Sequence, residues 1–177
     1  LRKALVLVDI VHKMKCPIIL IVPPEPFSSP VQGLGILKNY PDIRRQSLRA
    51  VKSFPNVGPV FCVALAAEEK MEKYKKEGLE EADFWIYPEA EKSWTAASLL
   101  SRVCQELETN IGEKEFSLWW AWADCPLLDS ELAQRMHERH MRWQAEYTNA
   151  DGWPLGFAPE LIHFSSLKAL AFLAEGN

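Results

Sequence analysis

No apolar run in this sequence approaches the roughly 20 residues needed to cross a bilayer; Ala4–Val8 and Ile18–Val22, the longest, fall far short. Nor is there a charged start followed by an apolar stretch and a small-residue cleavage pattern, so neither a membrane partner nor a secretory leader is expected, and a cytoplasmic location is. An excess of basic charge is also missing. Lys and Arg number 20 against 24 Asp and Glu, a net charge of -4, which gives no general attraction for a phosphate backbone and excludes nucleic acid as the expected partner. The four cysteines, Cys16, Cys62, Cys104 and Cys125, include no CxxC pair, and three of them sit inside apolar runs, the usual setting of a reduced, buried thiol. The 12 prolines are scattered rather than gathered into a linker, and no internal repeat or low-complexity tract is present. With 177 residues, 48% of them hydrophobic and 25% charged, one globular domain is expected across the whole chain. An opening Leu1 in place of Met implies that the chain is trimmed or cut from something longer, with a further carboxyl-terminal domain conceivable on the same polypeptide.

What is present is an alternation of two periodicities. Ala4–Asp9 and Pro17–Pro23 read as buried strands of a parallel sheet, and Pro24–Lys38, with Pro, Ser and Gly and no period, as an irregular loop long enough to be functional. Leu48, Val51 and Phe54 recur at helical spacing from Asp42 to Phe54, ahead of a strand at Pro59–Ala66. A second pair follows, a charge-laced helix from Glu68 to Leu79 with Met71, Tyr74 and Leu79 inward, and a strand at Asp83–Tyr87. Ser93 is placed to cap a helix whose stripe is Ala96, Leu100, Val103, Cys104 and Leu107; Phe116–Ala123 is apolar on both faces and therefore a central strand, with Trp119, Trp120 and Trp122 as core. Asp129 is placed to cap a helix over Ser130–Gln144, with Leu132, Met136 and Trp143 inward, and Ser165 opens a last helix through Leu173. The fold class is α/β: a three-layer α/β/α sandwich with a mostly parallel central sheet.

Ligands of such sheets bind beyond the carboxyl ends of the strands, which singles out Asp124, directly after the most apolar strand and ahead of the stiff Cys125-Pro126 turn. An acid there can hold Mg²⁺ carried by a nucleotide, since that ion takes only one or two protein carboxylates and completes its octahedron with water and phosphate oxygens. An exposed strand-end Asp capping a turn is the alternative. His137 and His140, three apart on a helix amid Glu138, Arg139 and Arg142, read as part of a solvated face, because no acid or cysteine follows at ligand spacing. Ser93, Ser98 and Ser101 have no His/Asp pattern to make a nucleophile.

Trp122-Ala-Asp-Cys-Pro-Leu-Leu-Asp129, then a helix, then Ala145-Glu-Tyr-Thr-Asn149, then Gly152-Trp-Pro-Leu-Gly-Phe-Ala-Pro-Glu160 resembles the spore-coat-polysaccharide-type cytidylyltransferase family. There a D-C-P-L strand end precedes Y-x-S/T-N and Y/W-P-x-G-x-D-x-E in the same order. The likeness runs from about Phe116 to Leu173. It implies a GT-A-like nucleotide-diphosphosugar transferase fold and transfer of a nucleotidyl group from CTP to a sugar or sugar phosphate of a surface polysaccharide or glycan pathway, with Mg²⁺ as cofactor. By position it makes Asp124 the catalytic metal ligand, puts Tyr147, Thr148 and Asn149 at the acceptor, lets Trp153, Pro154 and Gly156 shape the sugar pocket, and makes Glu160 the last acid of the motif.

The sequence departs from that pattern twice. Ala158 stands where the family has the acid that completes its metal site. The family's Gly-rich loop with Arg and Lys, needed to cradle a triphosphate, has as its nearest counterpart Gly33-Leu-Gly35 with Lys38, Arg44 and Arg45, the right residue types in the wrong order. A second expectation is therefore a degenerate, non-catalytic binding or docking domain of a larger protein. The chain also resembles, in that sense, the amino-terminal domain of a spirochaetal family in which a radical-SAM and SPASM portion follows. A glycosyltransferase using a finished nucleotide sugar would show a D-x-D strand end, where this chain has Asp124-Cys-Pro.

Overall fold

A computed structural model describes residues 15–23, 43–65, 71–88, 94–112, 115–154 and 156–176. The expected first strand Ala4–Asp9 and loop Pro24–Lys38 lie outside the described residues. The elements in chain order are β1 (Cys16–Val22), α1 (Ile43–Lys52), β2 (Val57–Ala64), α2 (Met71–Tyr74, continued by a π turn over Lys75–Leu79), β3 (Phe84–Ile86), α3 (Ala96–Ile111), β4 (Ser117–Trp122), α4 (Ser130–Trp143), β5 (Tyr147–Thr148), β6 (Glu160–His163) and α5 (Phe164–Glu175).

The strands form one six-stranded sheet in the order β3-β2-β1-β4-β6-β5. From β3 to β4 every neighbour is parallel, and β6 runs antiparallel to both β4 and β5. β1 and β4 lie inside the sheet, which is why both read as apolar on each face. Alternation along β1 divides the core: Ile18, Leu20 and Val22 pack with Leu48, Val51, Tyr74, Leu132 and Met136 of α1, α2 and α4, while Ile19 and Ile21 pack with Val103, Leu107 and Leu167 of α3 and α5. Helices therefore cover both faces, and the three-layer α/β/α sandwich with a mostly parallel sheet is the observed fold.

Several local expectations are corrected. Thr95, not Ser93, caps α3: its hydroxyl accepts from the Ser98 amide while Ser98 Oγ accepts from the Thr95 amide, a reciprocal box that satisfies two donors at once. Ser93 itself lies outside the described residues. Asp129 caps α4 as expected, its Oδ1 accepting from the amides of Glu131 and Leu132. Trp143 does not face inward; it is 76% exposed, because α4 ends there and Gln144 turns the chain through a left-handed conformation. β5 and β6 carry no strand signal in the sequence: the first is two residues long, and the second runs on directly into α5. No helix among the described residues is long and apolar enough to cross a membrane.

Candidate functional site

The carboxyl ends of the parallel strands meet where β1 and β4 lie side by side. The Ala123 amide donates to the Ile21 carbonyl at 2.8 Å, which carries the pairing one step past β4 and leaves Asp124 at the rim. The chain then turns: the Cys125 amide donates to the Trp122 carbonyl at 3.3 Å, and Pro126 holds the bend. Asp124 is fully buried, so the alternative of an exposed strand-end acid is overturned. The Cys125 thiol lies 3.9 Å from its Oδ1, and that is not its sole interaction.

The segment after β5 closes over the same rim. The Asp129 amide donates to the Phe157 carbonyl at 3.2 Å, fastening the Gly152–Glu160 stretch to the turn that follows Asp124. Gly152 and Gly156 sit at φ of +81° and +87°, the left-handed turns that glycine adopts without a steric penalty. Within that stretch Trp153 and Pro154 are exposed and Gly156 is half-buried. Ala158 packs against the core cluster of Trp119 and Ala121, so the position where the resemblance expects an acid is apolar in its surroundings as well as in identity.

The residues that the resemblance puts at an acceptor divide between the faces of β5. Tyr147, half exposed, pairs with Ile162, and the Glu160 carboxyl is its electrostatic neighbour. Burial pushes Glu160 above the usual carboxylate range, with the Tyr147 phenol acting the other way; burial and the neighbouring Glu160 push the Tyr147 phenol up. Thr148 points to the opposite face, where its hydroxyl lies 2.9 Å from His140 Nδ1. Asn149 is exposed.

Arg44, offered as part of the nearest counterpart of a phosphate loop, lies in the first turn of α1, buried, donating from Nη2 to the Pro23 carbonyl at 2.9 Å with its guanidinium 4.5 Å from the centre of the Tyr74 ring. It clasps the end of β1, the same edge on which Asp124 lies. Gly33, Gly35 and Lys38 lie outside the described residues.

His137 and His140 contradict the reading of a solvated face: they are 6% and 2% exposed. The charged neighbours Glu138, Arg139 and Arg142 occupy the outer side of α4, and the two imidazoles turn to the sheet. Spacing alone did not reveal this, although both fall on the stripe of Ala133 and Met136 at helical intervals. All four cysteines are free and buried, as the apolar runs around three of them suggest, and burial holds Cys16 at about 12 and Cys104 at about 11.

Among the described residues no three His, Cys, Asp or Glu side chains converge as a metal centre would require. Asp124 offers one carboxylate, a donor set that fits Mg²⁺ arriving on a nucleotide's phosphates but not an ion held by the protein alone.

No family model matches the sequence. A curated relative, an uncharacterised protein of Treponema pallidum, is 30% identical over 76 residues, covering 43% of this chain and 34% of its own. Among solved structures, a cytidylyltransferase from Leptospira borgpetersenii superposes with a TM-score of 0.58 at 20% identity over 88% of this chain and 63% of that one. The 4-diphosphocytidyl-2C-methyl-D-erythritol synthase of Anaerococcus prevotii gives 0.58 at 12% identity over 96% and 78%. CMP:2-keto-3-deoxy-manno-octonic acid synthetase, solved with CTP, gives 0.50 at 10% identity over 90% and 78%. At these identities the likeness establishes the fold. The chain spans less than two thirds of the Leptospira protein and about a third of the Treponema one.

Proposed function

We propose that this chain is a nucleotidyltransferase domain that takes CTP with Mg²⁺ and transfers the cytidylyl group to a sugar or sugar phosphate in surface polysaccharide or glycan synthesis, in the cytoplasm. The single observation that carries the reading is Asp124, a buried acid at the carboxyl rim between β1 and β4, in a fold whose solved neighbours are cytidylyltransferases. In the transfer, an acceptor oxygen attacks the α-phosphorus, the bond to the pyrophosphate oxygen breaks, and pyrophosphate leaves. Positioning and charge neutralisation govern such displacements. Bound Mg²⁺ would neutralise phosphate charge. Asp124 would hold the nucleotide's ion, which requires its side chain, buried in this structure, to become accessible. Asn149, Trp153, Pro154 and Gly156 would line the acceptor side, and the Tyr147–Glu160 pair would offer it a hydroxyl and a carboxyl.

Ala158 favours a second reading. With an alanine packed on the core in place of the second acid, the domain would be a non-catalytic descendant that binds or docks within a longer polypeptide, such as one with a radical-SAM and SPASM portion.

Calorimetry of CTP, with ATP as control, with and without Mg²⁺, on the protein and on Asp124→Ala, tests both. Mg²⁺-dependent CTP binding lost in the variant supports the transferase and leads to a screen of sugar acceptors. Absence of nucleotide binding at roughly millimolar concentration, a free energy near -4 kcal/mol, rejects it in favour of the docking domain.

A further inference from the structure

His140 is bonded at both ring nitrogens: Nε2 is 2.8 Å from Ser117 Oγ on β4, and Nδ1 is 2.9 Å from Thr148 Oγ1 on β5. β4 and β5 are not neighbours, since β6 lies between them, so the imidazole spans the sheet from the α4 side and links a central strand to the edge strand. β5 needs that link. It is two residues long and among the described residues pairs only with β6, through Tyr147 with Ile162 and Thr148 with Leu161, helped by the His163 amide donating to the Glu146 carbonyl at 2.8 Å. The Ala145 amide also donates to the His140 carbonyl at 3.0 Å, so residue 140 grips the incoming chain by backbone and side chain together. Ser117 is 8% exposed, and the partner beyond the imidazole is a hydroxyl rather than an acid, so the arrangement does not describe a serine nucleophile.

We infer that His140 is a positioning residue: its buried imidazole fixes Thr148 to Ser117 and thereby sets the register and tilt of Tyr147–Asn149, the segment that faces the acceptor. This rests on the transferase reading for what the segment binds, but not for the anchoring itself. Either neutral tautomer satisfies both hydroxyls, because Ser and Thr donate or accept as required. The neighbouring His137 lies with Nε2 3.4 Å from Asn56 Nδ2 and its ring 6.2 Å from that of Trp119.

The test uses His140→Phe, which keeps an apolar ring, His140→Gln, which restores one amide donor and acceptor, and Thr148→Val as a second route should the first variant fail to fold. Hydrogen exchange is followed at the His163 amide and across β5, against Leu20 and Ala121 in the sheet centre. The expected result is about tenfold faster exchange, the scale of one or two lost hydrogen bonds, confined to β5 and β6 and partly reversed in His140→Gln. In a transfer assay with CTP and a panel of sugar phosphates, the acceptor KM rises by a similar factor while the CTP Kd and kcat stay within about twofold. Exchange that rises throughout the sheet, or not at all, overturns the anchoring. Local loosening with an unchanged acceptor KM overturns the positioning role while leaving the transferase intact. If the unaltered protein transfers to no sugar, the transferase reading fails by itself, and the exchange pattern alone still decides whether His140 anchors β5.

Discussion

Acidification from about pH 7.5 to about pH 5 is expected to weaken the fold through His140. Burial, with His137 and His163 adding to it, lowers the pKa of this imidazole from 6.5 to about 4. The unfolded chain therefore takes up the proton first. Stability is intact above pH 6.5, falls as the pH drops below it, and stops falling below the folded-state value near 4. From those two values the loss is roughly 2 kcal/mol at pH 5 and approaches about 3 kcal/mol under pH 4. Glu160, raised by burial, works in the opposite sense, since the folded state takes up its proton first as the pH falls, so it is the comparison with His140→Phe, which leaves Glu160 in place, that isolates the histidine. Urea unfolding at several pH values, with the m-value checked for constancy, measures the slope in the native protein and in His140→Phe. The variant has no proton to gain at this site, so its curve should be flatter by roughly 2 kcal/mol between the two ends. Parallel curves would refute the reasoning, since the slope would then belong to other groups.

Further outcomes follow from the packing. Gly78→Ala is expected to cost at least about 2 kcal/mol in urea unfolding, because φ is +102° and a Cβ there would lie 2.5 Å from Arg45 Cβ in the π turn packed on α1. Asp129→Ala removes the acceptor for two α4 amides and should lower stability by about 1 kcal/mol by the same assay. A thiol reagent added to the native protein should modify none of Cys16, Cys62, Cys104 and Cys125 rapidly, and all four once denaturant is present; a fast-reacting thiol in the native state would contradict their burial.

Periodicity carried a large part of the fold because it depends on neighbours in sequence. Cys16–Val22 and Ser117–Trp122 are apolar on both faces, and both proved to be internal strands; Val103 and Leu107 lie on the buried stripe expected of α3. Its failures have physical causes. Thr95 competes with Ser93 for the cap, and only the reciprocal bonds with Ser98 decide between them. Trp143 continues the helical stripe in sequence, yet it lies at the end of α4, where no element remains to cover it. His137 and His140 sit on the inner side of a helix crowded with charge, and polarity masked their place in the buried set.

By itself the sequence determined the alternation of helices and strands, the buried thiols, the position of Asp124 after a central strand and the alanine at 158. These follow from the spacing and chemistry of consecutive residues, which local geometry reads directly. Only the tertiary structure decided that Asp124 is closed off from solvent, that Arg44 clasps β1, that Tyr147 meets Glu160, and that one imidazole ties Ser117 to Thr148. Each of those joins residues distant in the chain. Their contact depends on strand order and on which face a side chain occupies, and a pairing shifted by one residue would reverse the face while leaving the sequence pattern unchanged.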